Sequence, residues 1–589
     1  MRRFFLGLFA TIGILVVLAI IGLGALAWRL APSRPSLPQR IVLEADLNRS
    51  LAEGPSQDAL SRLWSPQKQT LRDFLDALER AGGDPRVKGI YVSLGADNLA
   101  LATCQEVRDA IHAFRAKGKF AIAFATSFGE FGPGTRPYYL AAAFDQIWLQ
   151  PLGAVGLIGL RSDQPFLRGA LDKLGVLPSF AHREEYKTAT NLFTETAMTA
   201  PQREEVEDLL GSSATQVAAG IAADRKLTPD QVAALIDRGP FVADEAKTLG
   251  LVDRIGYLDE AGAEARRRAG TGARFVSLTR YLARAGRPHR SGPTIALIYG
   301  TGLVTQGSSP ANPLFGDSEL SAGRLARAFR QAARDKEVRA ILFRIDSPGG
   351  SAVASETIWR EVVEARRLGK PVIVSMGDVA GSGGYYIAAP ADKIVAEPAT
   401  LTGSIGVLAG KFVVTDLMHK LGVTADAAQR GANAGMFSPW ADFSPAGRQH
   451  LDAFLNNFYA GFKARVASGR HLTADAVEAV AKGRVWTGEE AKAKGLVDAL
   501  GGYEVALRLA VAAAKLPADK PFKLAVFPRP KSTIERLYDR FAGRDEEGDA
   551  ASPSAARAFA EGLASLAASV EAIAHNPGLL RMPAIGEIR

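Results

Sequence analysis

Apolar and polar positions change period along this chain in a repeating way. Short runs rich in β-branched and aromatic residues, at 88–94, 120–124 and 146–149, read as strands, and 103–117 between the first two carries apolar positions at helical spacing. The same order returns at 339–345 (strand), 355–367 (helix), 371–375 and 393–396 (strands). Strands alternating with helices build parallel βαβ units, so the pattern predicts an α/β fold, and its return predicts an internal duplication.

The duplication can be checked residue by residue. Tyr138-Tyr139-Leu140-Ala141-Ala142 matches Tyr385-Tyr386-Ile387-Ala388-Ala389 at an offset of 247 residues. Asp145, Pro151, Gly156 and Ile158-Gly159 find Asp392, Pro398, Gly403 and Ile405-Gly406 at that offset. Further on, Glu245-Ala246-Lys247 and Gly250-Leu251-Val252-Asp253 match Glu490-Ala491-Lys492 and Gly495-Leu496-Val497-Asp498 at an offset of 245. The expected organisation is a leader at 1–30, a Pro-rich linker at 31–40, repeats at 41–285 and 286–527, and a tail at 528–589.

Two positions break the symmetry. Val379-Ala380-Gly381-Ser382-Gly383-Gly384-Tyr385-Tyr386 sets one hydroxyl among glycines between a strand and a helix, where backbone N–H groups are free to hold negative charge. Its counterpart in the first repeat is Thr135, in a segment that has lost the glycines. Conversely Lys187, in Arg183-Glu184-Glu185-Tyr186-Lys187-Thr188-Ala189, aligns with Ala432. Scaffold should recur in both copies, whereas a reactive group is needed once. Ser382 and Lys187 are therefore expected to form one composite site across the two repeats.

Composition narrows the partners. Of the 589 residues, 47% are hydrophobic and 23% charged, as in ordinary globular proteins, and 71 basic against 62 acidic residues leave a net charge of +9. No dense Lys/Arg stripe with interleaved aromatics appears, so no nucleic-acid partner is expected. The one cysteine, Cys104, excludes an internal disulfide and a cysteine-built metal site, and reads as a small buried residue. Residues 4–28 carry no charge and as a helix would span roughly 37 Å, enough for a hydrocarbon core. A single transmembrane anchor is expected. A cleaved signal peptide is the rival, since Ala25-Leu26-Ala27 mimics a cleavage site. Charge alone leaves the orientation weakly coded, with Arg2 and Arg3 on one side and Arg29, Arg34 and Arg40 on the other. In the tail, an acidic and Ser/Pro stretch precedes an Ala-rich amphipathic run at 555–574, which predicts a helix.

Asp346-Ser347-Pro348-Gly349-Gly350-Ser351, the Ser382 segment, Leu401-Thr402-Gly403-Ser404-Ile405-Gly406-Val407 and Tyr186-Lys187 together resemble the long, duplicated form of the bacterial signal peptide peptidase family, protease IV, over about 41–525. The resemblance implies a tandem ClpP/crotonase-type spiral of ββα units, a membrane-anchored serine endopeptidase, and hydrophobic peptides left by signal-sequence removal as substrates. It implies Ser382 as nucleophile, Lys187 as general base, Ser404 as a support for the lysine amine, and no cofactor or metal. It also implies a place in the bacterial plasma membrane with the catalytic part on the extracytoplasmic side, and a tetrameric homo-oligomer. One departure is the segment after the lysine, Thr190-Asn191-Leu192-Phe193, where an acidic-proline-aromatic continuation is often found.

The chemistry sets its own demands. A serine hydroxyl attacks only when a base takes its proton, and a lysine serves only if its pKa falls from ~10.4 toward ~7–8, roughly 4 kcal/mol, which requires burial. The turn at Gly349-Gly350, with the Gly383 N–H, is the expected oxyanion hole, where one donor is worth ~3–4 kcal/mol. The seven histidines form no HExxH-type pattern, and neither a GxSxG elbow, a P-loop nor a dinucleotide fingerprint is present. A Ser-His-Asp triad stays open but leaves Lys187 without a role. Two further alternatives are an acyl-CoA-handling enzyme on the same spiral fold and a non-catalytic membrane scaffold.

Overall fold

The computed structural model describes residues 36–54, 69–307, 319–517, 520–529 and 579–581. In the first half, β1 (Ile41–Asp46), β2 (Val87–Ser93), β3 (Phe120–Ala125) and β4 (Gln146–Leu149) lie side by side and parallel. Arg274–Ser277 extends this sheet beyond β1 and Arg254–Ile255 beyond β4, both parallel. Helix α1 (Leu101–Ala116) makes the crossover from β2 to β3, and α2 (Thr135–Ala142) the one from β3 to β4. Parallel neighbours cannot be joined by a tight turn, which is why strand and helix alternate in the sequence. β2 and β3 are buried almost throughout, and β3 reads as an unbroken apolar run. Cys104 sits in this core on α1, its thiol pushed up to about 12 by burial.

After a two-residue strand at Ala154–Val155, β5 (Leu177–His182) lies outside the first sheet, and the long helix α3 (Ala200–Arg225) follows it. The second half then repeats the plan. Here β6 (Thr294–Thr301) and β7 (Val338–Ser347) are parallel neighbours. A short strand, β8 (Gly349–Ser351), follows β7 after Pro348 and leads into α4 (Ala352–Arg367). Next come β9 (Val372–Gly381), parallel to β7, and α5 (Gly383–Ala388). β10 (Lys393–Ala396) and β11 (Leu401–Gly403) both pair in parallel with β9, one after the other along its length. The chain goes on through β12 (Leu408–Val413) and the helix α6 (Pro445–Arg470), and Leu579–Arg581 forms a last strand, β13.

The strands and helices predicted within the two repeats are all present, within a few residues of their expected ends except at β9. That strand, expected to stop at 375, continues to Gly381. Its register against β7 shifts at Asp346, whose carboxylate accepts a 3.0 Å bond from the Val379 N–H and supports the chain just before Ser382. The repeats are also not two sealed units. A third sheet runs Glu319–Ser321, Leu303–Thr305, β8, β13, β12, β5, so a strand from the first repeat and one from the tail complete the second repeat. The expected anchor at 4–28 and tail helix at 555–574 lie outside the described residues. Among the described residues no helix is long and apolar enough to cross a membrane.

Polar groups join the halves. Arg344 on β7 is buried and donates to Glu53 (2.8 and 2.9 Å) and to Glu106 on α1 (2.8 Å). Thr103 donates its N–H (2.8 Å) and its hydroxyl (2.7 Å) to Asp378 on β9. These buried hydrogen bonds link one half to the other.

Candidate active site

Ser382 is placed by the end of β9. Gly381 pairs with Gly403 of β11, and the Ser382 N–H donates to the Gly403 carbonyl at 2.8 Å. The chain then turns into α5 with Ser382 at φ +53°, ψ −116°, a conformation that L residues seldom adopt and that needs surrounding structure to hold it. Its neighbours must be glycine. A Cβ on Gly383 would lie 2.7 Å from Ser355 Oγ and 3.1 Å from the Gly350 nitrogen, and one on Gly384 would lie 2.7 Å from the Ser347 carbonyl oxygen. The three expected oxyanion residues, Gly349, Gly350 and Gly383, are thus brought together. The Gly349 N–H is at present donated within its own turn, to Ser347 Oγ at 3.2 Å.

Lys187 reaches this point from the first repeat. β5 pairs antiparallel with β12, Leu408 facing His182, so the chain after β5 is delivered alongside residues 404–407. The Arg183 N–H donates to the Val407 carbonyl (2.9 Å) and the Tyr186 N–H to the Lys482 carbonyl (3.1 Å). Between these clamps Lys187 turns inward. Its Nζ lies 2.9 Å from each of Ser382 Oγ, Ser404 Oγ and the Ser404 carbonyl oxygen. All three residues are 0% exposed. Burial holds the lysine amine well below its ordinary 10.5. An isolated amine taken out of water is disfavoured as ammonium.

Glu205 and Gly483, which sequence reasoning did not single out, complete the surroundings. Glu205, on α3, is buried, accepts a 2.6 Å bond from the Val485 N–H, and is pushed up to about 8 by desolvation; its charge acts to raise Lys187. Gly483 lies against the lysine backbone: a Cβ there would sit 2.5 Å from the Lys187 nitrogen, and its φ is +83°. The signal for Gly483 was present, since its counterpart in the repeat is Arg238. Glu205 carried none, being one acidic residue among several on a helix.

The first repeat shows how the site is lost. The Thr135 hydroxyl donates to the Gly159 carbonyl (2.9 Å) and accepts from the Ile158 and Gly159 N–H groups (3.2 and 3.1 Å). It is consumed in bracing its own loop. Ala432, opposite Lys187 in the repeat, lies on an exposed stretch. Among the described residues no hydrogen bond of Ser382 goes to a histidine: His112 faces Asp224, His182 the Glu184 carbonyl, and His289 Glu79.

The family model described as peptidase family S49 matches residues 124–271 and 364–517, one match in each repeat. The chain is similar to Protease 4 of Salmonella typhi, at 32% identity over 505 residues covering 83% of this chain and 78% of that protein. Protease 4 of Haemophilus influenzae is 31% identical, with 77% of this chain and 75% of that one covered. A chloroplastic serine protease, SPPA, of Arabidopsis thaliana is 30% identical, over 77% of this chain and 67% of that one.

Proposed function

The chain belongs to peptidase family S49 and is a serine peptidase, and from that premise we propose that it works as a membrane-anchored endopeptidase whose nucleophile is Ser382 and whose general base is Lys187. The observation that carries this is the 2.9 Å contact between two fully buried groups supplied by opposite repeats. A neutral amine has two N–H groups and one lone pair. The Ser404 carbonyl and hydroxyl can take the two N–H groups, which leaves the lone pair for the Ser382 O–H. In that arrangement Lys187 accepts the Ser382 proton as Oγ attacks a peptide carbonyl, then returns it to the leaving amine. The Gly383 N–H, with the N–H groups of the Gly349-Gly350 turn, would receive the oxyanion, Gly349 releasing its weak bond to Ser347.

The proposal includes hydrophobic signal-peptide remnants as substrates, the span at 4–28 as the anchor, an extracytoplasmic position on the bacterial plasma membrane, and the ClpP-type spiral. Their support is the sequence of the leader, the repeated βα units, and relatives that carry the names Protease 4 and signal peptide peptidase. A homo-tetramer is part of it too. The fully exposed Phe131 and Leu152 in the first repeat support an apolar contact there, and a monomer by sedimentation at assay concentration would contradict it. The decisive experiment on the dyad is cleavage of an apolar reporter peptide by Ser382→Ala and Lys187→Ala chains whose fold is checked by circular dichroism. Each is expected to lose activity by at least ~10⁴-fold. Substantial cleavage by a folded Lys187→Ala chain would mean another base.

A further inference from the structure

Three consecutive residues of the second repeat close over the lysine loop of the first. Gly483 lies against the Lys187 backbone, Arg484 follows it, and the Val485 N–H holds Glu205 on α3. Val485 opens a short strand, Val485–Thr487, that pairs antiparallel with β11, so this stretch is fixed to the strand that also braces Ser382. Arg484 has two attachments there. Its carbonyl accepts the Ser404 N–H at 2.7 Å, at a residue held at φ +51°, and both oxygens of Ser404 lie 2.9 Å from the lysine amine. Its guanidinium lies between the rings of Tyr186 and Trp486, 4.8 and 4.6 Å from their centroids, and donates to Glu204 (2.8 Å) and Asp208 on α3. The Tyr186 hydroxyl donates to the same Glu204 at 3.1 Å.

None of these side chains recurs in the first or second copy at the matching place. At the 245-residue offset Arg484 stands opposite Gly239, Tyr186 opposite Gly431, Glu204 opposite Gln449 and Asp208 opposite Ala453. The helices themselves correspond from end to end, α3 capped by Thr199 and α6 by Ser444. The helix is therefore scaffold, whereas the face that Arg484 grips exists only where there is a lysine loop to hold. Glu204 and Asp208 are half-exposed, and ion pairs to such carboxylates add little to stability. What a planar fork stacked between two rings does supply is direction as well as distance.

Resting on the Ser382/Lys187 reading, we propose that Arg484 is a positioning residue of the reaction, which holds the lysine loop down through Tyr186 and α3 and presents Ser404 to the amine from the other side. Without it the loop lifts, water reaches the amine, and the lysine regains its ordinary preference for the ammonium form. The charge that acts on Lys187 is that of Glu205. Other titratable neighbours are engaged elsewhere: Glu204 and Asp208 with Arg484, Glu185 with Lys482 at 3.1 Å, while Glu184 acts on Lys482 and Tyr459.

Two variants separate position from charge. Arg484→Lys keeps the positive charge and loses the planar fork, and Tyr186→Leu removes the ring under the guanidinium without changing any formal charge at neutral pH. Cleavage of an apolar reporter peptide is measured against pH for both, for the wild type and for Lys187→Ala, with thermal unfolding to check the fold. In both variants the rising limb of the profile should move to higher pH by at least about one unit, about tenfold in kcat at a fixed pH on that limb, with KM unchanged. A wild-type profile in both variants overturns the clamp. So does a rate that falls equally at every pH, or a loss carried by KM, with the limb in place. If Lys187→Ala is inactive in the same assays, the dyad reading survives those results; activity in Lys187→Ala overturns the dyad and the clamp together.

Discussion

At the scale of single residues, the proposed mechanism turns on one amine kept out of water. Lys187 lies well below its ordinary range because of burial, and the charge of Glu205 works against this. With Lys187 as the proposed base the neutral amine is the active form, so cleavage should rise with pH as Lys187 loses its proton, at a pH far below that of a solvated lysine. Glu205, at about 8, is largely protonated below that value and charges above it. Its negative charge then favours the lysine ammonium. Glu205→Gln removes that charge, so the rising limb of the pH–rate profile is expected to move to lower pH or stay in place. A shift to higher pH would show that Glu205 does not act on Lys187 through its charge. The identities of Ser382 and Lys187 were legible because each stands in only one repeat. Glu205 was not, since its effect depends on where α3 docks.

At the scale of elements, what recurs is scaffold and what differs is chemistry. The Tyr138 hydroxyl donates to the Leu251 carbonyl at 2.8 Å, and the Tyr385 hydroxyl, at the same place in the second copy, to the Leu496 carbonyl at 2.9 Å. Such pairs are why the strand and helix order could be read from the sequence. The lysine loop is the element that had to be fitted without a counterpart, and Gly483 is the residue that admits it. Gly483→Ala would place a methyl group 2.5 Å from the Lys187 nitrogen at a φ of +83°. The expected outcome is a fall in kcat/KM of about 100-fold from a displacement near 1 Å, with the chain still folded. Kinetics and thermal unfolding of this variant check it, and wild-type kcat/KM would show that the loop has room to spare. The exchange of β5 into the third sheet and the entry of β13 were not legible. Strand partners far apart in sequence leave no local period, and three residues are too few to show one.

For the whole molecule, the two halves are joined through buried polar groups and both contribute to the proposed site, so neither is expected to work alone. The leader at 4–28 precedes both repeats and supplies none of Ser382, Lys187 or Ser404. A chain starting at Ser36 should therefore fold and cut a soluble apolar peptide at close to the full-length rate. It should clear liposome-embedded signal peptide more slowly, because a tether confines enzyme to the surface where such substrates collect. Side-by-side assays of the two chains on both substrates test this. Equal rates on the embedded substrate would mean that the leader does not govern access.

The central claim is that Lys187, across the junction between repeats, activates Ser382. The most direct test is the rate at which a fluorophosphonate labels the protein, measured against pH for the wild type and for Lys187→Ala, with the labelled residue identified by mass spectrometry. The account predicts a single label on Ser382 in the wild type, forming faster as pH rises through the lowered lysine ionisation, and essentially no label in Lys187→Ala. Labelling of Ser382 at the wild-type rate without Lys187, or of another residue in its place, would contradict it.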